Sequence, residues 1–463
     1  MNAKKTILIT IPFGMSARNI LRTDVYRILK RQCRVIILSL LSQSEDFIRE
    51  FAVPDVTFYN LPPIGGWKST LRSNLQTLWI FTYGRKTKNE TLQRHRELLK
   101  RENKLGYYKP IILIWFLRSL GLWRIVSLLT GRLIFKHSYY SEVLDKEKPD
   151  LIMTTSPLVS EEDLLINYLA KRKGISTVGF VHSWDNIPKE SNPWILPDKL
   201  LVWNHIMKDQ AIRFLGFQKE DVSVVGVPQY DDYLLNTPVD SNSGYRTLKG
   251  IPQNSKILTY ACGNPHFFPD EEVFIEDLVN LINQEEFGDA VLVLRLHPKY
   301  NAKRFKQIFS NYPRVFFDEG SEAFDVSYLT RWSQENGNSA YVNLLYHSDV
   351  IINLGSTVTI DAAVFDKPIV NIAYDINPVK DPWFSKTRYY ESTHYKHIVA
   401  SGGARIAYSR EELIQYIKLY LENPSIDNEG RRRIVEEQCY QVDGKSGVRI
   451  VEALYKTIYE REK

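Results

Sequence analysis

Residues 348–375, SDVIINLGSTVTIDAAVFDKPIVNIAYD, admit few folds. A short apolar run at 350–354 ends in Gly355, whose missing Cβ permits a sharp turn and close backbone approach. Ser356 or Thr357 can then cap a helix reaching about residue 365, and Lys367-Pro368 closes it before a second apolar run at 369–372. Strand, turn, helix and strand make the repeating unit of a parallel sheet, and such a sheet binds anions where N–H groups and the positive end of a helix dipole meet at the turn. Asp361 lies one helical turn beyond Thr357 on the same face, placed to accept hydrogen bonds from a ribose diol while the turn holds a diphosphate. From this stretch alone, an ordinary crossover with a capping Ser and a dipole-complementing Asp reads equally well.

A second apolar run, 291–296, closes in Arg295-Leu296-His297-Pro298. Ligands of open α/β sheets sit beyond the carboxyl ends of the strands, where His297 falls, and the period of two puts Arg295 on the same face. A cation there would neutralise a leaving diphosphate; the plain alternative is a His-Pro turn beside a solvated Arg. A third run, 256–260, leads into Ala261-Cys262-Gly263-Asn264-Pro265, a small-residue loop in which Gly263 and Asn264 again suit a diphosphate.

Upstream, strands are expected at 5–11, 34–40, 56–61, 150–154, 176–181, 199–203 and 222–225, with helical stretches between most of them, an alternation that predicts parallel α/β layers. A chain of 463 residues exceeds one ordinary core, so two domains are expected. The breaker-rich run 237–244 is the expected linker, giving an acceptor-side domain over 1–240, with a basic and aromatic insertion at 67–136, and a donor-binding domain over 250–463. Gly14, Arg18 and Asn19 follow the first strand and are candidate acceptor contacts, or simply the start of a helix. His182 and Asp185 follow the strand at 176–181, and either can deprotonate an acceptor hydroxyl. Asp185 is the first choice and His182 the second; the alternative for Asp185 is an Asx turn with Asn186.

Three motifs together carry a family resemblance: RxHP at 295–298, the Ser-Thr-x-x-x-Asp turn at 356–361 with KPIV and an aromatic-Asp pair after it, and DGxSGxRI at 443–450 feeding a last amphipathic helix. Over about the last two hundred residues the chain resembles CDP-glycerol glycerophosphotransferase-like proteins within the GT-B glycosyltransferase superfamily. The resemblance implies an α/β GT-B fold, two Rossmann-like domains facing across a cleft, with the C-terminal helix crossing back to the first. It also implies that His297, Ser356, Thr357 and Asp361 contact donor phosphate or ribose. In the N-terminal half the glycerophosphotransferases carry Trp-His-Gly-Thr-Pro-x-Lys, where this chain has Trp184-Asp185-Asn186-Ile187-Pro188-Lys189 after His182. A carboxylate replaces the imidazole, so the glycerol-phosphate donor is not carried over.

The expected activity is transfer of a glycosyl or related group from a nucleotide-linked donor, itself a substrate and not a cofactor, to a hydroxyl of a glycan or lipid-linked acceptor. No DxD-type motif sits at a strand end, and Asp231-Asp232 is a bare acidic pair, so a metal-independent reaction is expected. A UDP-sugar 2-epimerase, a CDP-glycerol-type transferase and a non-catalytic glycan-binding protein are the rivals.

Charge is unevenly spread. Residues 68–136 hold fifteen Lys and Arg against three Glu, a net +12 in a chain of +6, so the remainder is net −6. Aromatics are interleaved, and Arg118, Arg124 and Arg132 make 111–135 too charged to cross a bilayer. The segment is expected either to lie on an anionic membrane surface or to pack onto the sheet. Without an RRM, KH or zinc signature, nucleic acid is not an expected partner. Cys33, Cys262 and Cys439 are too scattered for a disulfide framework or a zinc site. Pro12-Phe13-Gly14 interrupts the first apolar run, so no signal peptide or anchor is expected there, and a cytoplasmic enzyme, peripheral on the inner face of the membrane, is the expected setting.

Overall fold

The computed structural model describes residues 4–64, 89–121, 138–189, 195–318 and 336–461, apart from 266, 267, 269, 298, 301, 380–382 and 384. Among them the strands form two parallel sheets. The first contains β1 (Thr6–Ile11), β2 (Arg34–Ser39), β3 (Val56–Asn60), β4 (Leu151–Thr154), β5 (Ser176–Phe180), β6 (Lys199–Val202) and β7 (Val222–Val224), in the order β3-β2-β1-β4-β5-β6-β7. The second contains β8 (Ile257–Ala261), β9 (Val291–Arg295), β10 (Val315–Phe317), β11 (Val350–Asn353), β12 (Ile369–Ile372) and β13 (Arg405–Ala407), in the order β10-β9-β8-β11-β12-β13. Strands such as Ile7-Leu8-Ile9 and Val350-Ile351-Ile352 are apolar without alternation and wholly buried, as helices on both faces of a parallel sheet require.

Each order reverses once, between β1 and β4 and between β8 and β11. These are the switch points at which neighbouring loops diverge and leave a crevice at the carboxyl edge. By contact the chain divides into one unit of Met1–Asp232 with Tyr440–Lys463, and another of Tyr233–Cys439. The second compact unit thus ends earlier than the expected 250–463. The reason is physical: the helix Ser446–Arg461 packs on the helix Asp24–Gln32 of the first unit. Gly447 lets it approach, since a Cβ there would stand 2.8 Å from Cβ of Asp24. The expected linker is also partly ordered, for Ser241 caps the helix Asn242–Lys249 through the N–H of Gly244.

Asp231 and Asp232 have structural work. Asp231 accepts the N–H groups of Gly444 and Ser446 at 3.0 and 2.8 Å, capping the last helix, and Asp232 pairs with Arg27 at 2.5 Å. Asp443 and Arg449 of the DGxSGxRI motif pair with each other, and Arg449 Nε donates to the carbonyl of Val225. The motif is therefore an anchor for the C-terminal helix.

Candidate active site

In the first unit the loops after β1, β4 and β5 converge. Asn19 Nδ2 donates to the carbonyl of His182 at 3.5 Å, and Arg18 donates to the side chains of Asn19 and Gln229 at 3.0 and 3.1 Å. Gly14 opens the one-turn helix Gly14–Ser16. His182 is buried, with the Phe13 ring centroid 6.1 Å from its own and Nδ1 3.0 Å from Oγ of Ser156. Burial pushes the imidazole down to about 4, with Asp185 pulling it up and Arg18 adding to the depression. It is therefore neutral near pH 7 and has a lone pair to offer.

Asp185 is placed differently. One carboxylate oxygen accepts the Ser183 hydroxyl at 2.5 Å and the other is paired with Lys189, one helical turn on. Asn186 Oδ1 reaches back to accept the N–H of Ser183 at 3.1 Å, a back-bond of the capping-box kind and not the expected Asx turn.

In the second unit the register sets Asn353, Ala261 and Arg295 side by side on β11, β8 and β9. Hence the Gly355, Gly263 and His297 loops leave one edge together. Gly355 has φ 76°, and a Cβ there would stand 3.1 Å from ring atoms of both Tyr389 and Tyr390. The expectation of unclaimed turn N–H groups is corrected here. Asn353 Oδ1 accepts from both Gly355 and Ser356 at 2.8 Å, and Ser356 Oγ accepts from Val358 at 3.3 Å. Thr357 caps with no side-chain bond; its carbonyl receives Asp361 N–H at 3.1 Å. Asp361 is buried and accepts the hydroxyl of Tyr341 at 2.5 Å, so one carboxylate oxygen is committed within the fold.

Arg295 is likewise engaged. It pairs with buried Asp318 and lies 4.0 Å over the Tyr341 ring, and although burial opposes its charge, Asp318 holds it above the ordinary arginine range. It is neither the solvated arginine nor an isolated cation. The N–H of Gly263 is taken by Glu271, which also accepts from Tyr260 and Tyr300, while Asn264 turns the chain through its carbonyl to Phe268. His297 Nδ1 accepts the N–H of Lys299 at 3.1 Å, which places the ring proton on Nε2. Pro298 lies outside the described residues.

Sequence reasoning missed Ser156, Asn353, Tyr341 and Glu271. Asn353 ends a core strand two residues before Gly355, and a polar residue there was a readable signal; the other three declare themselves only through partners on other elements. Among the described residues no group of three or more His, Cys, Asp or Glu gathers as a metal site.

Comparison with known proteins agrees with this architecture. The description CDP-Glycerol:Poly(glycerophosphate) glycerophosphotransferase matches residues 176–456. The chain belongs to that family of transferases. No curated protein matches. Among solved structures, a putative UDP-N-acetylglucosamine 2-epimerase from Listeria monocytogenes aligns at TM-score 0.58 and 13% identity over 99% of this chain and 98% of its own. The UDP-GlcNAc 2-epimerase of Neisseria meningitidis bound to UDP-GlcNAc gives 0.53 at 14% identity, over 98% of this chain and 100% of its own. A glycosyltransferase from Rickettsia africae gives 0.51 at 13% identity, over 99% of each. The shared fold is the two-domain α/β GT-B type.

Proposed function

We propose that the chain transfers a glycosyl group from a nucleotide-diphosphate donor to a hydroxyl of a glycan or lipid-linked acceptor, without a metal. The observation that carries the reading is His182, a buried neutral imidazole at the carboxyl edge of the first sheet, where a group transferase needs a base. It takes precedence over Asp185 because both oxygens of that carboxylate are occupied. The acceptor oxygen bonds the anomeric carbon, the carbon–oxygen bond to the diphosphate breaks, and the hydroxyl proton passes to His182 Nε2. The side chains of His297, Ser356 and Thr357 are the donor-side contacts, supported by their common edge, since the N–H groups of Gly355 and Ser356 are taken by Asn353. A neighbour of the same fold from N. meningitidis is bound to UDP-GlcNAc, which supports a nucleotide-linked donor.

The basic segment adds a setting. In the helix Lys104–Ser119, Tyr107 and Ile111 pack on the first core, whereas Leu105, Tyr108, Ile112, Trp115 and Phe116 are exposed at spacings of three and four. Such a face, in a segment of +12, suits an anionic membrane where a lipid-linked acceptor resides. No described helix is long and apolar enough to cross a membrane.

Family membership favours a second reading, glycerophosphate transfer from CDP-glycerol. Incubation with UDP-, CDP- and GDP-sugars and CDP-glycerol, with and without EDTA, separates the cases. Nucleoside diphosphate release with a glycosylated acceptor, unaffected by EDTA, is the expected result. Release of CMP from CDP-glycerol alone establishes the second reading, and a converted free sugar nucleotide an epimerase.

A further inference from the structure

Ser156, at the end of β4 beside the first switch point, is buried and touches three elements. Its Oγ lies 3.0 Å from His182 Nδ1 and 3.3 Å from the hydroxyl of Ser16, and its N–H donates to Asp163 Oδ2 at 2.7 Å. Asp163 is wholly buried in the first turn of the helix Glu161–Lys173. The adjoining Thr155 donates through its hydroxyl to the carbonyl of Thr10 at the end of β1. The loop bearing Ser156 is thus fixed on both sides, which holds Ser156 Oγ between the ring and Ser16.

We propose that Ser156 is the positioning residue that selects the tautomer of His182. His182 Nδ1–H donates to Ser156 Oγ, Ser156 donates on to Ser16 Oγ, and the lone pair is left on Nε2. This rests on the transferase reading and deepens it, because only that tautomer presents a base on the ring nitrogen remote from the loop. As the acceptor proton arrives at Nε2 the ring becomes cationic, and the bond from Nδ1–H to Ser156 strengthens with the charge. The other charged groups facing the ring are Arg18 on the segment after β1 and Asp185, itself held by Lys189.

Full-length protein carrying 15N-histidine tests this in the native form and as Ser156→Ala and Ser156→Thr. The native His182 signals at neutral pH are expected to show one tautomer with the proton on Nδ1, and Ser156→Ala a mixture of two. In turnover, Ser156→Ala should lower kcat about tenfold with KM for the donor unchanged, and Ser156→Thr should restore both the spectrum and the rate. Identical His182 signals in native and Ala forms, a loss confined to KM, or a Thr variant no better than Ala overturns the assignment. Should the native protein turn over none of the donors, the transferase reading falls, and the nitrogen spectra still decide what Ser156 does.

Discussion

His182 and Asp185 stand three residues apart, yet their surroundings differ. A base must offer a lone pair, and the buried imidazole does so at neutral pH, while the Asp185 carboxylate is held by Ser183 and Lys189. His182→Ala is therefore expected to lower kcat by about two to four powers of ten with donor affinity intact, and Asp185→Asn to lower it by less than about tenfold. Steady-state rates beside calorimetric donor binding check the pair; a dead Asn variant and a competent Ala variant would restore Asp185 as the base. Glu271 offers a test of stability. Burial raises it from 4.5 to about 7, so between those values the folded chain keeps a proton that the unfolded chain has lost. Its contribution is complete below about pH 4.5 and disappears as pH rises through about 7. Glu271→Gln removes that dependence, so native stability should fall relative to the variant by on the order of 2 kcal/mol between about pH 5 and 8. Asp163 and His182 titrate in both proteins alike, and parallel urea midpoints across that range would refute the assignment. His182 and His297 stand out in the sequence as candidates because a titratable group at the end of an apolar run is conspicuous. Ser156 was not legible, since a serine between Thr155 and Pro157 looks like any turn former until β4 and β5 pair.

At the scale of elements, the last helix shows how a motif can be legible and its purpose hidden. DGxSGxRI reads as a turn feeding a helix, but the carboxylate that receives the helix's first N–H groups is Asp231, more than two hundred positions upstream. Asp231→Ala leaves two N–H groups without that acceptor in a partly buried place and should cost about 1–3 kcal/mol, while Asp231→Asn keeps one acceptor oxygen and should cost less. Urea unfolding gives the magnitude, and hydrogen exchange should show residues 446–461 opening first. An unchanged midpoint in the Ala variant would mean that interhelix packing alone holds the segment. Most strands were readable from apolar runs. β10 and β13 were not, for three residues with half-buried members give no periodicity to detect, and they become strands only by pairing with β9 and β12.

For the whole molecule, the alternation of apolar runs and helices disclosed two parallel sheets, whereas the return of the chain's end to the first sheet depends on contacts no local pattern records. The charge pattern was legible too, and it sets the last prediction. The segment 68–136 carries +12 in a chain whose remainder is −6, and its helix Lys104–Ser119 directs Ile112, Trp115 and Phe116 outward. Each basic residue near an anionic surface contributes about 1 kcal/mol, so a few acting together suffice for peripheral binding. Aromatic and aliphatic side chains entering the interface add to this in proportion to the area they bury. The electrostatic part is screened, as the Debye length shrinks from roughly 10 Å at 0.1 M salt to about 3 Å at 1 M. Co-sedimentation with vesicles rich in phosphatidylserine should therefore be strong at low salt and weak at high salt. Trp115→Ser with Phe116→Ser should reduce it at both, because those changes remove apolar contact and leave charge alone. Arg118, Arg124 and Arg132 changed to Glu should abolish the low-salt binding and leave little for salt to weaken. A native protein that stays in the supernatant at low salt would assign the exposed face to a protein partner and make a soluble glycan the acceptor to try first.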